Sequence, residues 1–271
     1  MMKKVISFCL WGQNAHYVIG AVLNADIAEK EWPDWICRFY ISPNVPIEAV
    51  DELKSRSNVE VIEMKEDESW NAMFWRFFAA SDPEVNVAIF RDTDSRINPR
   101  DKAAVDEWLS SDKAGHIIRD NCQHGWEMCG GAWGVRNGKL SFLEQNIKEF
   151  DLKETMNKHG IDQIYLSREI YGILHGDVYV HDDWFPDFLP HENKHPFPIL
   201  RLRGEGWEKQ EFPEWHSGIE DDSEKYPWPD GQCFLKCPAC GKYHDNDYIG
   251  CIRYVTNKEK EKYNEINDAC D

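Results

Sequence analysis

Positive charge is scarce in this sequence. Lys and Arg number 31 against 49 Asp and Glu, a formal net charge of −18 over 271 residues. A surface so short of cations is ill suited to gripping a phosphate backbone, so nucleic acid is not an expected partner. The same deficit disfavours docking on an anionic membrane. Long apolar runs are missing too: no stretch of about 18 apolar residues occurs, so no membrane span is expected. The start, Met1 to Leu10, briefly imitates a signal peptide, but the apolar stretch stops at Gly12-Gln13-Asn14 and no small-residue cleavage site follows. It reads better as a first buried strand. Dispersed disulfides are not indicated either. The nine cysteines are an odd count, and Cys233, Cys237, Cys240 and Cys251 crowd together near the C-terminus, which points to a reducing cytoplasm and a local metal cluster. What the chain does have is a core: 42% hydrophobic and 13% aromatic residues exclude a disordered acidic chain.

Residues 1–185 alternate short apolar runs with helical patterns, the signature of an α/β domain. Strands are expected at Val5–Leu10, Cys37–Ile41, Val59–Met64, Val85–Phe90, Gly115–Ile118, Ala132–Val135 and Val178–Val180. Helices are expected at Tyr17–Lys30, Ile47–Ser55, Asp101–Ser110 and Asp162–Leu174. A further helix should start at a capping Ser69, with Trp70, Met73, Phe74, Phe77 and Phe78 forming an aromatic stripe at i, i+3, i+4, i+7 and i+8. Residues 186–271 differ. Seven prolines between 186 and 229 keep regular elements short, and the Cys-rich stretch 233–251 follows. No internal repeat is evident.

The strand Val85–Phe90 runs into Arg91-Asp92-Thr93-Asp94-Ser95-Arg96. Two carboxylates one residue apart would then sit at the carboxyl end of a sheet, where open α/β folds take ligands. Extended backbone points alternate side chains to opposite faces, so a turn after Asp92 is needed for both to address one site. Hard oxygen ligands suit Mg²⁺ or Mn²⁺ shared with a substrate phosphate; Asp and Ser are also ordinary turn residues. Together with Phe74-Trp75-Arg76-Phe77, His116-Ile117-Ile118-Arg119-Asp120 and Gly130-Gly131-Ala132-Trp133-Gly134, this string resembles glycosyltransferases of the GT-A fold, over roughly residues 5–185. The resemblance implies a Rossmann-type mixed sheet flanked by helices and a hexosyl- or deoxyhexosyltransferase. Such an enzyme uses a nucleoside-diphosphate sugar and a glycan or small-molecule acceptor, with Mn²⁺ or Mg²⁺ held against the diphosphate. It implies Asp94 as a direct metal ligand, with Asp92 on the ribose, the metal or both. Arg76, Arg91, Arg96 and Arg119 are candidates to stabilise the departing diphosphate. Trp11, in the loop after the first strand, is a candidate to stack on a base or is simply core.

An inverting transfer needs a group to take the acceptor proton. Asp162 in Gly160-Ile161-Asp162-Gln163 resembles the Asp-Gln pair that opens a helix near the sugar in such enzymes, although Asp at a helix start is also a routine cap. Asp120 and His124 are lesser alternatives. Many members of the fold place a late histidine on the metal, and His181 matches by position ahead of His191, His195 and His216. Farther on, Cys237-Pro238-Ala239-Cys240-Gly241 has the form of a zinc knuckle, with His244 and Cys251 as a second pair and Cys233 as a spare ligand. A closed Cys/His set binds structural zinc, here expected to clip the proline-rich C-terminal part. Two rivals stand beside a glycosyltransferase. One is a nucleotidyltransferase on a similar sheet, which Trp11-Gly12-Gln13-Asn14 does not favour because it lacks a basic Gly-rich phosphate loop. The other is a non-catalytic glycan- or protein-binding module.

Overall fold

The computed structural model describes residues 2–65, 70–120, 126–153, 160–182, 194–203, 235–236, 243–244 and 252–256. The expected Ser69 cap, His124, His191, His216 and the zinc-knuckle cysteines 233, 237, 240 and 251 lie outside these residues.

The chain opens with β1 (Lys3–Leu10), α1 (Ala15–Glu31), β2 (Ile36–Ile41), α2 (Ile47–Lys54) and β3 (Val59–Glu63). A 3-10 helix (Trp70–Ser81) leads to β4 (Val85–Phe90), α3 (Pro99–Ser110), β5 (Gly115–Arg119) and β6 (Trp133–Arg136). Then come α4 (Leu143–Lys153), a helical run Ile161–Leu174, and β7 (Val178–Asp182), β8 (Lys194–His195) and β9 (Ile199–Arg203). The short β10 (Leu235–Lys236) and β11 (Tyr243–His244) pair with each other, and β12 (Ile252–Thr256) pairs antiparallel with β9.

The protein is an α/β fold built on one mixed sheet of eight strands, ordered β3-β2-β1-β4-β6-β5-β7-β8, with helices flanking it. β6 alone in this sheet runs against its neighbours, β4 and β5. The central strands carry near-continuous apolar runs because both of their faces are covered. One face packs Phe74 and Phe77 of the 3-10 helix with α4 and the 161–174 run. The other packs α1, α2 and α3, including the fully buried Trp32 and Trp108.

The strands follow the apolar runs closely, with ends shifted by one or two residues. The aromatic stripe at 70–81 is helical but winds as a 3-10 helix, and it buries Met73, Phe74 and Phe77 while leaving Trp70 exposed. The 161–174 run is broken: α5 (Ile161–Tyr165) passes through a π turn (Leu166–Ile170) into α6 (Tyr171–Leu174). α4 is an addition to the expected elements, packing Leu143 and Ile147 into the core.

Candidate active site

Sheet topology places the site. The chain moves outward from β1 to β2 and β3, then returns to add β4 on the other side of β1. The carboxyl ends of β1 and β4 therefore border the point where strand order reverses, the crevice where open α/β sheets bind ligands. Into it lead the loop from Trp11 and the acidic loop from Arg91. Because β6 is antiparallel, its entrance arrives at the same edge: Trp133 pairs with Phe90, which puts Gly130 and Gly131 beside the acidic loop.

Arg76 lies at the centre. Its 3-10 helix packs along β1 and buries the guanidinium among carboxylates. Nη2 donates to Asp162 Oδ2 at 2.5 Å, and Nη1 lies 3.1 Å from Asp92 Oδ1. Nε donates to the Gly130 carbonyl at 3.2 Å, Nη1 also meets Cys9 Sγ at 3.2 Å, and the cation sits 5.1 Å from the Phe77 ring centroid. One planar fork thus joins the acidic loop, the first turn of α5 and the glycine pair. The glycines leave room for the two carboxylates. A Cβ at Gly130 would stand 2.1 Å from Asp162 Oδ2, and one at Gly131 would stand 1.9 Å from Asp92 Oδ2.

Electrostatics mark the same place. Asp94 is pushed up to about 7, first by burial and then by the neighbouring charge of Asp92, with Arg96 and Arg76 pulling the other way. Burial also raises Asp162, against the opposing pull of Arg76. Cys9 is raised to about 11 by burial, so its sulfur stays a neutral thiol under the guanidinium. Burial works against the charge on Arg76, but its neighbours, Asp92 first, more than offset it. Asp92 and Asp94 offer hard oxygens whose mutual repulsion a divalent cation would relieve. This donor set fits Mg²⁺ or Mn²⁺ completed by phosphate and water. Among the described residues no group of three or more His, Cys, Asp or Glu is arranged to hold a metal, so a closed protein cage is not formed there.

The expected site residues divide. Asp92, Asp162 and Arg76 are brought together, with Asp94 and Arg96 on the adjoining loop. Trp11 is half-buried at the crevice and meets Trp70 edge-on, with ring centroids 6.3 Å apart. Arg91 is engaged elsewhere: it forks onto Asp101 at 2.7 and 2.9 Å and donates to the carbonyls of Phe90 and Trp133. It braces α3 against the strand ends. Asp120 is likewise taken by a two-point pair with Arg100 at 2.9 and 3.0 Å. Arg119 is buried against Asp182 at 3.3 Å and holds the carbonyls of Trp126 and Glu127.

His181, expected beside Asp92 and Asp94, has other neighbours in the structure. His181 faces the α3 side of the sheet, with Nδ1 2.9 Å from His116 Nε2 and Nε2 3.4 Å from Glu107 Oε2. Burial lowers it to about 4, so it is a neutral link in a buried polar chain. Cys9 is not legible as a site residue in the sequence. An isolated cysteine within an apolar strand carries no sign of what lies across from it.

No protein-family model matches the chain, and no curated protein matches it. Solved structures with a similar fold include a glycosyltransferase involved in glycosylation of the major capsid of PBCV-1, at TM-score 0.46 and 15% identity, covering 66% of this chain and 81% of that one. A 4-diphosphocytidyl-2C-methyl-D-erythritol synthase from Anaerococcus prevotii matches at TM-score 0.38 and 10% identity, over 66% of this chain and 86% of that one. Rv0371c from Mycobacterium tuberculosis matches at TM-score 0.37 and 10% identity, over 67% and 90%.

Proposed function

We propose that this chain is a glycosyltransferase that takes a nucleoside-diphosphate sugar and passes the sugar to a hydroxyl of a glycan or small molecule. The observation that carries the reading is the Arg76 fork joining Asp92 and Asp162 at the β1–β4 switch point. Asp92 and Asp94 are the residues that would hold Mn²⁺ or Mg²⁺, which when bound neutralises the diphosphate. Arg76 offers a permanent cation on the other side of Asp92, which would offset negative charge that grows on the leaving group. Asp162, buried beside that cation, is suited to orient the sugar or accept the acceptor proton. Trp11 and Trp70 provide aromatic faces for the base or a sugar ring. A structural zinc bound by Cys237, Cys240, His244 and Cys251, with Cys233 as an alternative, is part of the same reading and is checked by metal content of the purified chain.

The test is thermal stability with UDP, GDP, dTDP, CDP and their sugars, with and without Mn²⁺, for the wild type and Asp94→Ala. Stabilisation by one nucleoside diphosphate that needs both Mn²⁺ and Asp94 is expected. No response to any of them overturns the reading. Release of pyrophosphate from a nucleoside triphosphate and a sugar phosphate would replace it with a nucleotidyltransferase.

A further inference from the structure

The acidic loop is gripped from a helix that contributes no charge to it. Gly20 and Asn24 are one turn apart on α1 and so share a face. Asn24 is fully buried; its Nδ2 donates to the Ser95 carbonyl at 2.8 Å and its Oδ1 accepts from the Ile97 amide at 3.1 Å. Gly20 admits the loop itself: a Cβ there would stand 1.9 Å from the Thr93 oxygen and 2.6 Å from Arg96 Nη1. Arg96 folds back on the same Thr93 carbonyl at 2.9 Å. The carbonyls before and after Asp94 are therefore both fixed by α1 or by a group packed against it.

The choice of residue is informative. Asn is a poor residue for a helix interior, and a buried amide is tolerated only when its donor and acceptor are both matched. The loop backbone satisfies both here. An ionised Asp would accept from Ile97 but could not donate to Ser95, and an apolar residue would do neither.

We propose that Asn24 is a positioning residue which, with Gly20, holds the Thr93–Ile97 loop so that Asp94 is presented ready to take a divalent cation. The proposal rests on the metal-binding reading above and goes past it by naming what orders the ligand. Groups that orient a metal ligand without touching the metal typically change its affinity about 10–100-fold.

The experiment is Mn²⁺ titration followed by electron paramagnetic resonance, beside thermal unfolding, for wild type, Asn24→Asp, Asn24→Leu, Gly20→Ala and Ala28→Gly. Ala28 lies one turn farther along α1 in the core, so Ala28→Gly weakens the helix while Gly20 and Asn24 are kept. Asn24→Asp, which keeps volume and the Ile97 bond, is expected to lose about 10-fold in Mn²⁺ affinity, and Asn24→Leu and Gly20→Ala as much or more. Ala28→Gly should melt earlier and bind Mn²⁺ as the wild type does. Unchanged affinity in Asn24→Leu and Gly20→Ala overturns the role of Asn24 alone. A loss in Ala28→Gly as large as theirs also overturns it, because general softening of α1 would then suffice. Rapid hydrogen exchange at the Ile97 amide of the wild type would remove the clamp without recourse to a variant. A wild type that takes no Mn²⁺, with or without a nucleotide, overturns the metal reading itself.

Discussion

Arg76 shows how much one side chain can determine. It is buried and shares its fork between Asp92 and Asp162, so removing it strands a buried carboxylate. Breaking a buried pair by deleting one partner costs about 3–5 kcal/mol, whereas replacing both is milder. Urea denaturation should therefore find Arg76→Gln destabilised by about that amount, and Arg76→Gln with Asp162→Asn nearer the wild type than the single change. Nucleotide response should be lost in both. Asp94 gives a prediction about pH. Its folded-state value of about 7 lies above the ordinary value of about 4, so the folded protein holds a proton that the unfolded chain has released. Stability from this group is full below about 4 and falls as pH rises toward 7. The melting temperature of Asp94→Asn should be flatter than that of wild type across this window. A cation that binds the ionised pair has the opposite slope, so Mn²⁺ affinity should climb toward pH 7 and level off above it.

Among the elements, the ends of the strands carry the site, and their neighbours hold the ends. Arg119 at the end of β5 and Asp182 at the end of β7 are both fully buried at the side chain and paired, and Arg119 also holds the carbonyls of Trp126 and Glu127 in the connection leading to Gly130. Arg119→Met should cost about 3–5 kcal/mol by denaturant titration, and adding Asp182→Leu should recover part of it. Much of this scaffold was readable in advance. Val85–Phe90 followed by two aspartates announces a buried strand delivering acid to a sheet edge, and Trp70 to Phe78 announces a helix. Less legible were the features set by tertiary distance. Arg91 and Asp120 look like site residues because they flank the right strings, yet each is the natural salt-bridge partner of an α3 residue, Asp101 and Arg100, more than nine positions away. His181 was matched by its place in the chain, but strand alternation turns it to the α3 face. α4 escaped because its apolar residues Leu143, Ile147 and Phe150 are separated by charged positions and give only a thin stripe. Asn24 is invisible for a related reason: nothing local marks the loop it serves.

At the scale of the whole molecule, a net charge of −18 sets the conditions under which an anionic ligand can approach. Without a divalent cation, a nucleoside diphosphate meets a repulsive field whose reach falls from about 30 Å at 0.01 M salt to about 8 Å at 0.15 M. Its binding in chelator should therefore strengthen as NaCl rises over that range, the reverse of the usual behaviour of phosphate-binding proteins, and calorimetry at several salt concentrations checks the sign. Among the described residues no helix is long and apolar enough to cross a membrane. The reversed strand β6 has a consequence of its own. Gly131 reaches Asp92 only because Trp133 is paired with Phe90, with ring centroids 4.2 Å apart. A slip of two residues would keep every side chain on its proper face yet carry the glycine pair about 7 Å along the strand. The alignment of the crevice is thus gauged from beneath, by a buried, tilted aromatic pair, much as the jaws of a caliper are zeroed by the scale behind them.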